Sequence, residues 1–170
     1  MLPLEVETPA SAPHFDTYVQ TRSGALLRLA FLLTGDAHHA EDLVQTALVK
    51  VMGRWEQVTA GGDPHPYVRK VLLHTALGWR RRRWQGERPS DPLPDVGGAP
   101  DHAAVVDSRE RLRRALQQLP ARQRAAVVLR HYEDLSEHDV ARELGCSVGT
   151  VKSQTARGLD RLRSLMSDEP

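Results

Sequence analysis

The sequence predicts an all-α protein made of two small helical domains joined by a flexible linker. Three observations predict it. Apolar residues recur at a 3.6-residue period in several segments. No segment shows the strict alternation of a half-buried strand. A stretch rich in Pro, Gly and Asp divides the chain at about 86–106.

The elements follow in order. Residues 1–13 contain three prolines and no periodicity, and read as a mobile N-terminal tail. The first domain is expected over 14–86. Its first helix carries Phe15, Tyr18, Leu26, Leu29, Ala30 and Leu33 at helical spacing, and Gly35 suits the position just past its end. Asp36 is placed to cap a second helix. There Ala40, Leu43, Val44, Ala47, Leu48, Val51 and Met52 form the apolar stripe, and His38, Glu41, Asp42, Gln45 and Arg54 the outer face. Glu56–His65 reads as a loop around Gly61-Gly62-Asp63-Pro64. Pro66 fits the first position of a third helix that runs to about Trp84. After a linker at 87–106, the second domain is expected over 107–167. Its helices are predicted at Arg109–Leu119, from Pro120 to about Tyr132, at Ser136–Leu144 and at Ser147–Met166.

Bulk properties narrow the function classes. The formal net charge is +1, but it is unevenly distributed. Residues 56–85 hold six basic and two acidic groups; 86–108 hold one and five; 109–170 hold twelve and nine. Two basic blocks, each able to meet phosphate, therefore flank an acidic stretch. The single cysteine, Cys146, excludes an internal disulfide framework and argues against a cysteine zinc site. No apolar run has the length of a membrane span and no secretory pattern opens the chain, so membrane insertion is not expected and a cytoplasmic location is. His38 and His39 are adjacent on a helix, point apart and make a poor metal pair. No nucleophile–base set, phosphate-cradling loop or paired carboxylates has suitable spacing. Neither an enzyme nor a cofactor is expected.

The sharpest signal lies at Glu137–Gln154, EHDVARELGCSVGTVKSQ. A helix-turn-helix needs a small residue where its helices cross, a turn residue tolerant of positive φ, and an apolar anchor in the second helix. Ala141, Gly145 and Val151 supply these at the right spacing. Ser136 and Ser147 are placed to cap the two helices. The outer face of the second helix carries Thr150, Ser153, Arg157 and Arg161 with Lys152 beside them, a set suited to major-groove contacts.

Together with AEDLVQTALVKVMGRW at 40–55, PYVRKVLLHTALGWRRRRW at 66–84 and LPARQRAAVVLRHYEDLSEHDVARELGCSVGTVKSQTARGLDRLR at 119–163, the chain resembles a bacterial sigma factor of the extracytoplasmic-function group. Such factors keep only the regions called 2 and 4. The resemblance covers roughly residues 15–165, and WRRRR and GCSVGTVKSQ resemble the actinobacterial sigma-E-like branch.

The resemblance implies an alternative sigma factor that binds core RNA polymerase and recognises the −10 and −35 elements of promoter DNA. Glu41, Asp42 and Gln45 would meet the β′ clamp helices, and region 4 the β flap. Tyr67, Lys70, His74, Arg80 and Arg81 would serve the −10 element, with the loop at 57–65 taking an unstacked base. His74 stands where the group commonly has Asn. Tyr67 and Trp84 offer either stacking faces or edge packing. Thr150, Lys152, Ser153, Ala156 and Arg157 would serve the −35 element, and Arg122, Arg124 and Arg130 would add phosphate contacts, with Arg130 equally placed to pair with Glu133 or Asp134 in a surface contact worth little. An anti-sigma factor is a partner of many members. A stand-alone regulator with the same helix-turn-helix would instead bind duplex DNA by itself, commonly as a dimer.

The linker would pass through the polymerase channel, where its acidity mimics nucleic acid. Replacing Asp91, Asp95 and Asp101 by Lys is expected to reduce promoter-specific initiation in a purified transcription assay. Unchanged initiation contradicts the mimicry.

Overall fold

The computed structural model describes the backbone of residues 12–83 and 100–167 and the side chains of 12–79 and 104–167. It is helical throughout its regular structure: α1 (Phe15–Thr34), α2 (Ala37–Met52), α3 (Trp55–Ala60), α4 (His65–Arg83), α5 (Pro100–Gln117), α6 (Ala121–His131), α7 (Glu137–Leu144) and α8 (Val148–Ser167).

Local chemistry sets the helix ends. Gly35 ends α1 in the left-handed region at φ 74°, and its N–H donates to the Phe31 carbonyl. Glycine is required there twice over, because a Cβ would also stand 2.4 Å from the Gln117 side chain. Asp36 caps α2 by accepting from the His39 N–H at 2.8 Å. Ser136 accepts from the Asp139 N–H and Ser147 from the Thr150 N–H, both at 3.1 Å.

Two expectations need correction. The loop expected from Glu56 to His65 contains α3, leaving only 61–64 irregular. Trp55 explains the helix: it packs edge-on against Phe15 at 5.2 Å, lies 5.1 Å from the Tyr18 ring, and donates its indole N–H to the Pro13 carbonyl. The helix expected from Arg109 begins at Pro100, so 100–106 are helical rather than linker. Proline and an acidic residue, Pro100-Asp101, are favoured in a first turn. The rest of the expected linker lies outside the described residues, as does Trp84.

In the first half, α1, α2 and α4 enclose Leu26, Leu29, Leu43, Val51, Val68, Leu72 and Leu73. In the second, α6, α7 and α8 enclose Ala125, Leu129, Val140, Leu144 and Val151. Gly158 lets α8 cross close to α6: a Cβ there would stand 2.6 Å from Val127. The halves also pack on one another, α1 on α5 and α6, and α4 on α7.

Two buried arginines hold the halves together. Arg124, 2 % exposed, gives all five N–H donors to oxygens. Its partners are the carbonyls of Leu33, Leu116, Gln117 and Leu119 and the side-chain oxygen of Gln117. Arg69 on α4 forks onto Glu143 of α7 at 2.8 and 2.5 Å and reaches Glu133 at 3.2 Å. Burial acts to lower the Arg69 pKa, but the hydrogen bonds and charges of Glu143 and Glu133 outweigh it and hold the pKa above its ordinary value.

Glu143→Ala removes the fork and leaves the buried guanidinium with Glu133 as its one remaining carboxylate, so it is expected to cost about 3 kcal/mol of unfolding free energy. Urea titration checks the loss, and small-angle scattering checks for a larger radius of gyration. An unchanged midpoint would contradict the clasp.

Candidate nucleic-acid interface

The helix-turn-helix is built as its spacing requires. Ala141 is buried where α7 meets α8, Gly145 turns the chain at φ 65°, and Val151 is fully buried. The Gly145 and Cys146 N–H groups both donate to the Ala141 carbonyl. With that core facing inward, Lys152, Ser153, Ala156 and Arg157 are exposed and Thr150 half-exposed. Three of the polar groups have partners within the chain, the Thr150 hydroxyl bonding that of Ser147 at 2.9 Å. The Ser153 hydroxyl donates to the Thr150 carbonyl at 3.0 Å, and Lys152 lies 3.8 Å from Glu137, a surface contact of little energy.

The basic residues proposed to extend this face are not equivalent. Arg122 is exposed. Arg124 is buried in the joint between the halves and is unavailable to phosphate. Arg130 donates to the Leu135 carbonyl, closing the α6–α7 turn rather than pairing with Glu133 or Asp134. Helical spacing shows that 122, 124 and 130 share a helix, but not which of them finds carbonyl oxygens across a fold.

In the first half, Glu41, Asp42 and Gln45 are exposed on α2. The same face continues at 49 and 52, where Val49 is 67 % and Met52 55 % exposed. Met52 therefore leaves the apolar stripe in which the periodicity places it: Val51 fills the core, and α2 ends at Met52. Two exposed apolar residues in line with Asp42 and Gln45 were legible only as Val49 falling off the stripe.

The face of α4 brings Tyr67, Lys70 and His74 together along one cavity of about 490 Å³. Lys50 at the end of α2 and Trp79 on α4 also line it, and spacing had not singled out either as a site residue. The Lys50 ammonium donates to the buried Thr75 hydroxyl at 3.0 Å. His74 Nε2 lies 2.8 Å from the Glu143 carbonyl, so this side chain touches α7 as well. The side chains of Arg80 and Arg81 lie outside the described residues, although α4 continues through both. Arg69, counted with this basic block from the sequence, is buried in its carboxylate pair.

The loop at 61–64 is anchored from α1. The Tyr18 hydroxyl and His65 Nδ1 share a hydrogen bond at 2.8 Å, and Asp63 accepts from the His65 backbone N–H at 3.0 Å. Burial pushes the Tyr18 phenol well above its ordinary range. Burial, then the Arg69 and Arg22 charges, push His65 below the ordinary imidazole value against the opposing pull of Asp63.

Among the described residues no helix is long and apolar enough to cross a membrane, and no cluster of His, Cys, Asp and Glu is arranged to hold a metal.

Two family descriptions match the chain: Sigma-70 region 2 over residues 18–86, and Sigma-70, region 4 over residues 109–162. The RNA polymerase sigma-E factor of Streptomyces avermitilis is 43% identical over 155 residues, which cover 88% of this chain and 83% of that protein. The ECF RNA polymerase sigma factor SigM of Mycobacterium tuberculosis is 32% identical over 152 residues, 89% of this chain and 76% of that one. Among solved structures, the sigma factor RpoE in complex with the anti-sigma factor NepR from Bartonella quintana matches with a TM-score of 0.72 at 25% identity, over 92% of this chain and 98% of that chain.

The His65 geometry predicts a pH response. An unfolded imidazole titrates near ~6.5. The folded one titrates lower, so below that pH the unfolded chain binds a proton that the folded chain does not. The site's stability is complete above about pH 7 and is lost as pH falls through ~6.5 toward the folded pKa. Chemical denaturation at pH 7.5 and 5.5 should show a drop that His65→Gln reduces. An equal drop in both proteins contradicts the assignment.

Proposed function

The chain belongs to the sigma-70 family of RNA polymerase sigma factors, as an alternative sigma factor of the extracytoplasmic-function type that directs promoter-specific transcription, and we propose how its surfaces divide that work. The observation that carries the division is the helix-turn-helix, whose core residues leave Lys152, Ser153, Ala156 and Arg157 outward together. With Thr150, these residues read the −35 element. The hydroxyls and the guanidinium meet base edges, the Lys152 ammonium meets backbone phosphate, and the Ala156 methyl suits a thymine methyl.

Region 2 supplies the other two contacts. Glu41, Asp42 and Gln45 bind the β′ clamp helices through an acidic, amide-bearing face complementary to basic groups. Tyr67, Lys70 and His74, continued by Arg80 and Arg81, take the −10 element. Their aromatic and cationic mixture suits an unstacked strand. The imidazole of His74 presents one ring nitrogen toward a base where an amide side chain would present a donor and an acceptor, so the base preference there differs from that of an Asn-bearing relative. Region 4 also meets the β flap.

Sigma factors are regulators, and on this reading the polymerase performs the chemistry while this chain contributes no catalytic group and needs no cofactor. The chain works in the cytoplasm with its polymerase. An anti-sigma factor is a fitting further partner: the structural match to a sigma factor bound to one extends over both halves of this chain.

Transcription with purified core polymerase on a pool of promoter fragments tests the division. Discrete transcripts are expected only when the protein is added. Asp42→Arg should abolish them by preventing core binding, and Arg157→Ala should reduce them about tenfold, the scale of one lost base contact. Tight, sequence-specific duplex binding by the protein alone, without core-dependent transcripts, would point to a stand-alone regulator.

A further inference from the structure

We propose that the cavity between the two halves is a binding site for one free amphiphilic anion, an apolar chain ending in a carboxylate, and that the bound anion holds the halves together. The lining and rim of the cavity carry the first part. The second part rests on the proposed division of promoter contacts between α4 and α8.

The cavity, about 500 Å³, lies where α1 and the first turns of α2 face α5 and the end of α6. Leu27, Phe31, Leu32, Ala37, Ala40 and Leu112 line it. Leu112 is 41 % exposed and Tyr132, also on the wall, 47 %, so apolar surface faces a groove that no described element fills. The walls are held at a fixed spacing: Arg113 donates to the Gly35 carbonyl at 2.7 Å and Gln117 to the Leu32 carbonyl at 3.2 Å. A preformed apolar cavity of this size falls in the range of small-molecule sites, about 300–1,000 Å³. A helix is a poorer occupant. It is about 10 Å across with its side chains, so a single turn already fills about 420 Å³. One turn falls well short of the ~800 Å² that each partner of a stable protein interface buries.

The rim selects an anion. Arg28 and Arg109 are exposed on the cavity, and neither has a carboxylate within ion-pairing distance among the described residues. Arg113 is already matched by Glu110, which takes two of its N–H groups at 2.7 and 2.5 Å. Among the lining residues the one carboxylate is Glu41, on the face proposed for β′. Two unmatched guanidinium groups against one carboxylate leave the mouth net positive, and their planar forks suit a carboxylate head. A neutral chain would use only the walls, and a short acid only the rim.

Because the walls come from both halves, the cavity exists only while α1 packs on α5 and α6. A ligand that binds this arrangement alone stabilises it by mass action. The −10 and −35 elements lie about 25 base pairs apart, about 85 Å along the duplex at ~3.4 Å per base pair. The helices α4, α7 and α8 have 19, 8 and 20 residues, and laid end to end would reach only about 70 Å. With α4 packed on α7, the closed chain cannot meet both elements, so the bound anion opposes promoter engagement.

Isothermal titration of the full chain with dodecanoate, kept below micelle formation, tests the site, with dodecanol and butanoate as controls. Dodecanoate is expected to bind one to one, and each control about tenfold more weakly, the scale of one charge-assisted contact. Arg28→Gln combined with Arg109→Gln should bring dodecanoate down to the affinity of dodecanol and leave dodecanol unchanged. Leu112→Asp should weaken both. All three positions are exposed, so the unliganded melting temperatures should match that of the native chain. In transcription with purified core polymerase, dodecanoate at about ten times its Kd should lower transcripts about tenfold with the native chain and spare the double variant. Binding that is absent, equal for dodecanoate and dodecanol, or unchanged in the double variant overturns the site. Binding with transcription unchanged, or reduced equally with both chains, overturns the hold on the halves. If dodecanoate does not bind and Leu112→Asp instead breaks a dimer or releases a protein partner, the groove belongs to that occupant and the proposal falls. Absence of transcripts without dodecanoate overturns the reading on which the second part rests, while the titration still decides the first.

Discussion

The arrangement of the two halves depends on a buried cation that has no carboxylate. Arg124 would be costly in the interior unless every donor were met, and the fold meets all five with oxygens. Those oxygens come from the last turn of α1 and from the end of α5 and its turn into α6. Helix ends carry unpaired carbonyls and a partial negative charge, so they offset a guanidinium as a group where no single atom would. Two neighbours reinforce the joint: Gln117 donates to the Leu32 carbonyl at 3.2 Å and Arg113 to the Gly35 carbonyl at 2.7 Å. The end of α1 is thus capped by side chains from the other half. Gly35 makes this approach possible, because any larger residue would displace Gln117.

Arg69 clasps the halves at a second point by a different logic. Its charge is matched by Glu143 and Glu133, and the fork geometry fixes the position of α7 against α4. Arg69 and Arg124 are buried, and half-buried Arg113 and Arg130 are tied to carbonyls, so four cations that block charge counts assign to phosphate have partners within the fold. Among the described residues, the cations exposed on the faces proposed for DNA include Lys50 and Lys70 on the α4 groove, Arg122 on α6, and Lys152, Arg157 and Arg161 on α8. Counting charge along the sequence finds the right halves of the chain but not the residues that face outward.

What could be read in advance follows the range of the interaction. As helix caps, Gly35, Asp36, Ser136, Gly145 and Ser147 act within four residues of themselves, and those capping roles were legible from spacing alone, unlike the approach of Gln117 that Gly35 also permits. So was the helix-turn-helix, whose three core positions lie within eleven residues. The short helix α3 was not, because it is held by Trp55 meeting Phe15, Tyr18 and Pro13 some forty residues away. Met52 obeys the period of α2 yet is exposed, because α2 ends there and Val51 takes the core position of that last turn. Arg69 and Arg124 look like any other arginine on a basic helix until their partners 74 and 91 residues away are known. The family motifs compensate for part of this, since they carry long-range information that periodicity lacks.

His74 ties these strands together. Its Nε2 bonds the Glu143 carbonyl, and Glu143 also receives the Arg69 fork, so one residue of α7 receives two groups from α4. The same imidazole lines the groove proposed for the −10 strand. A ring nitrogen bonded to a carbonyl at 2.8 Å is not free to bond a base. Docking of α7 on α4 and reading of a base through His74 Nε2 therefore exclude one another. An asparagine side chain, shorter and with its donor and acceptor fixed on one amide, would divide those roles differently. The identity of residue 74 thus bears on the packing of the halves and, on the proposed reading of α4, on the recognition of DNA.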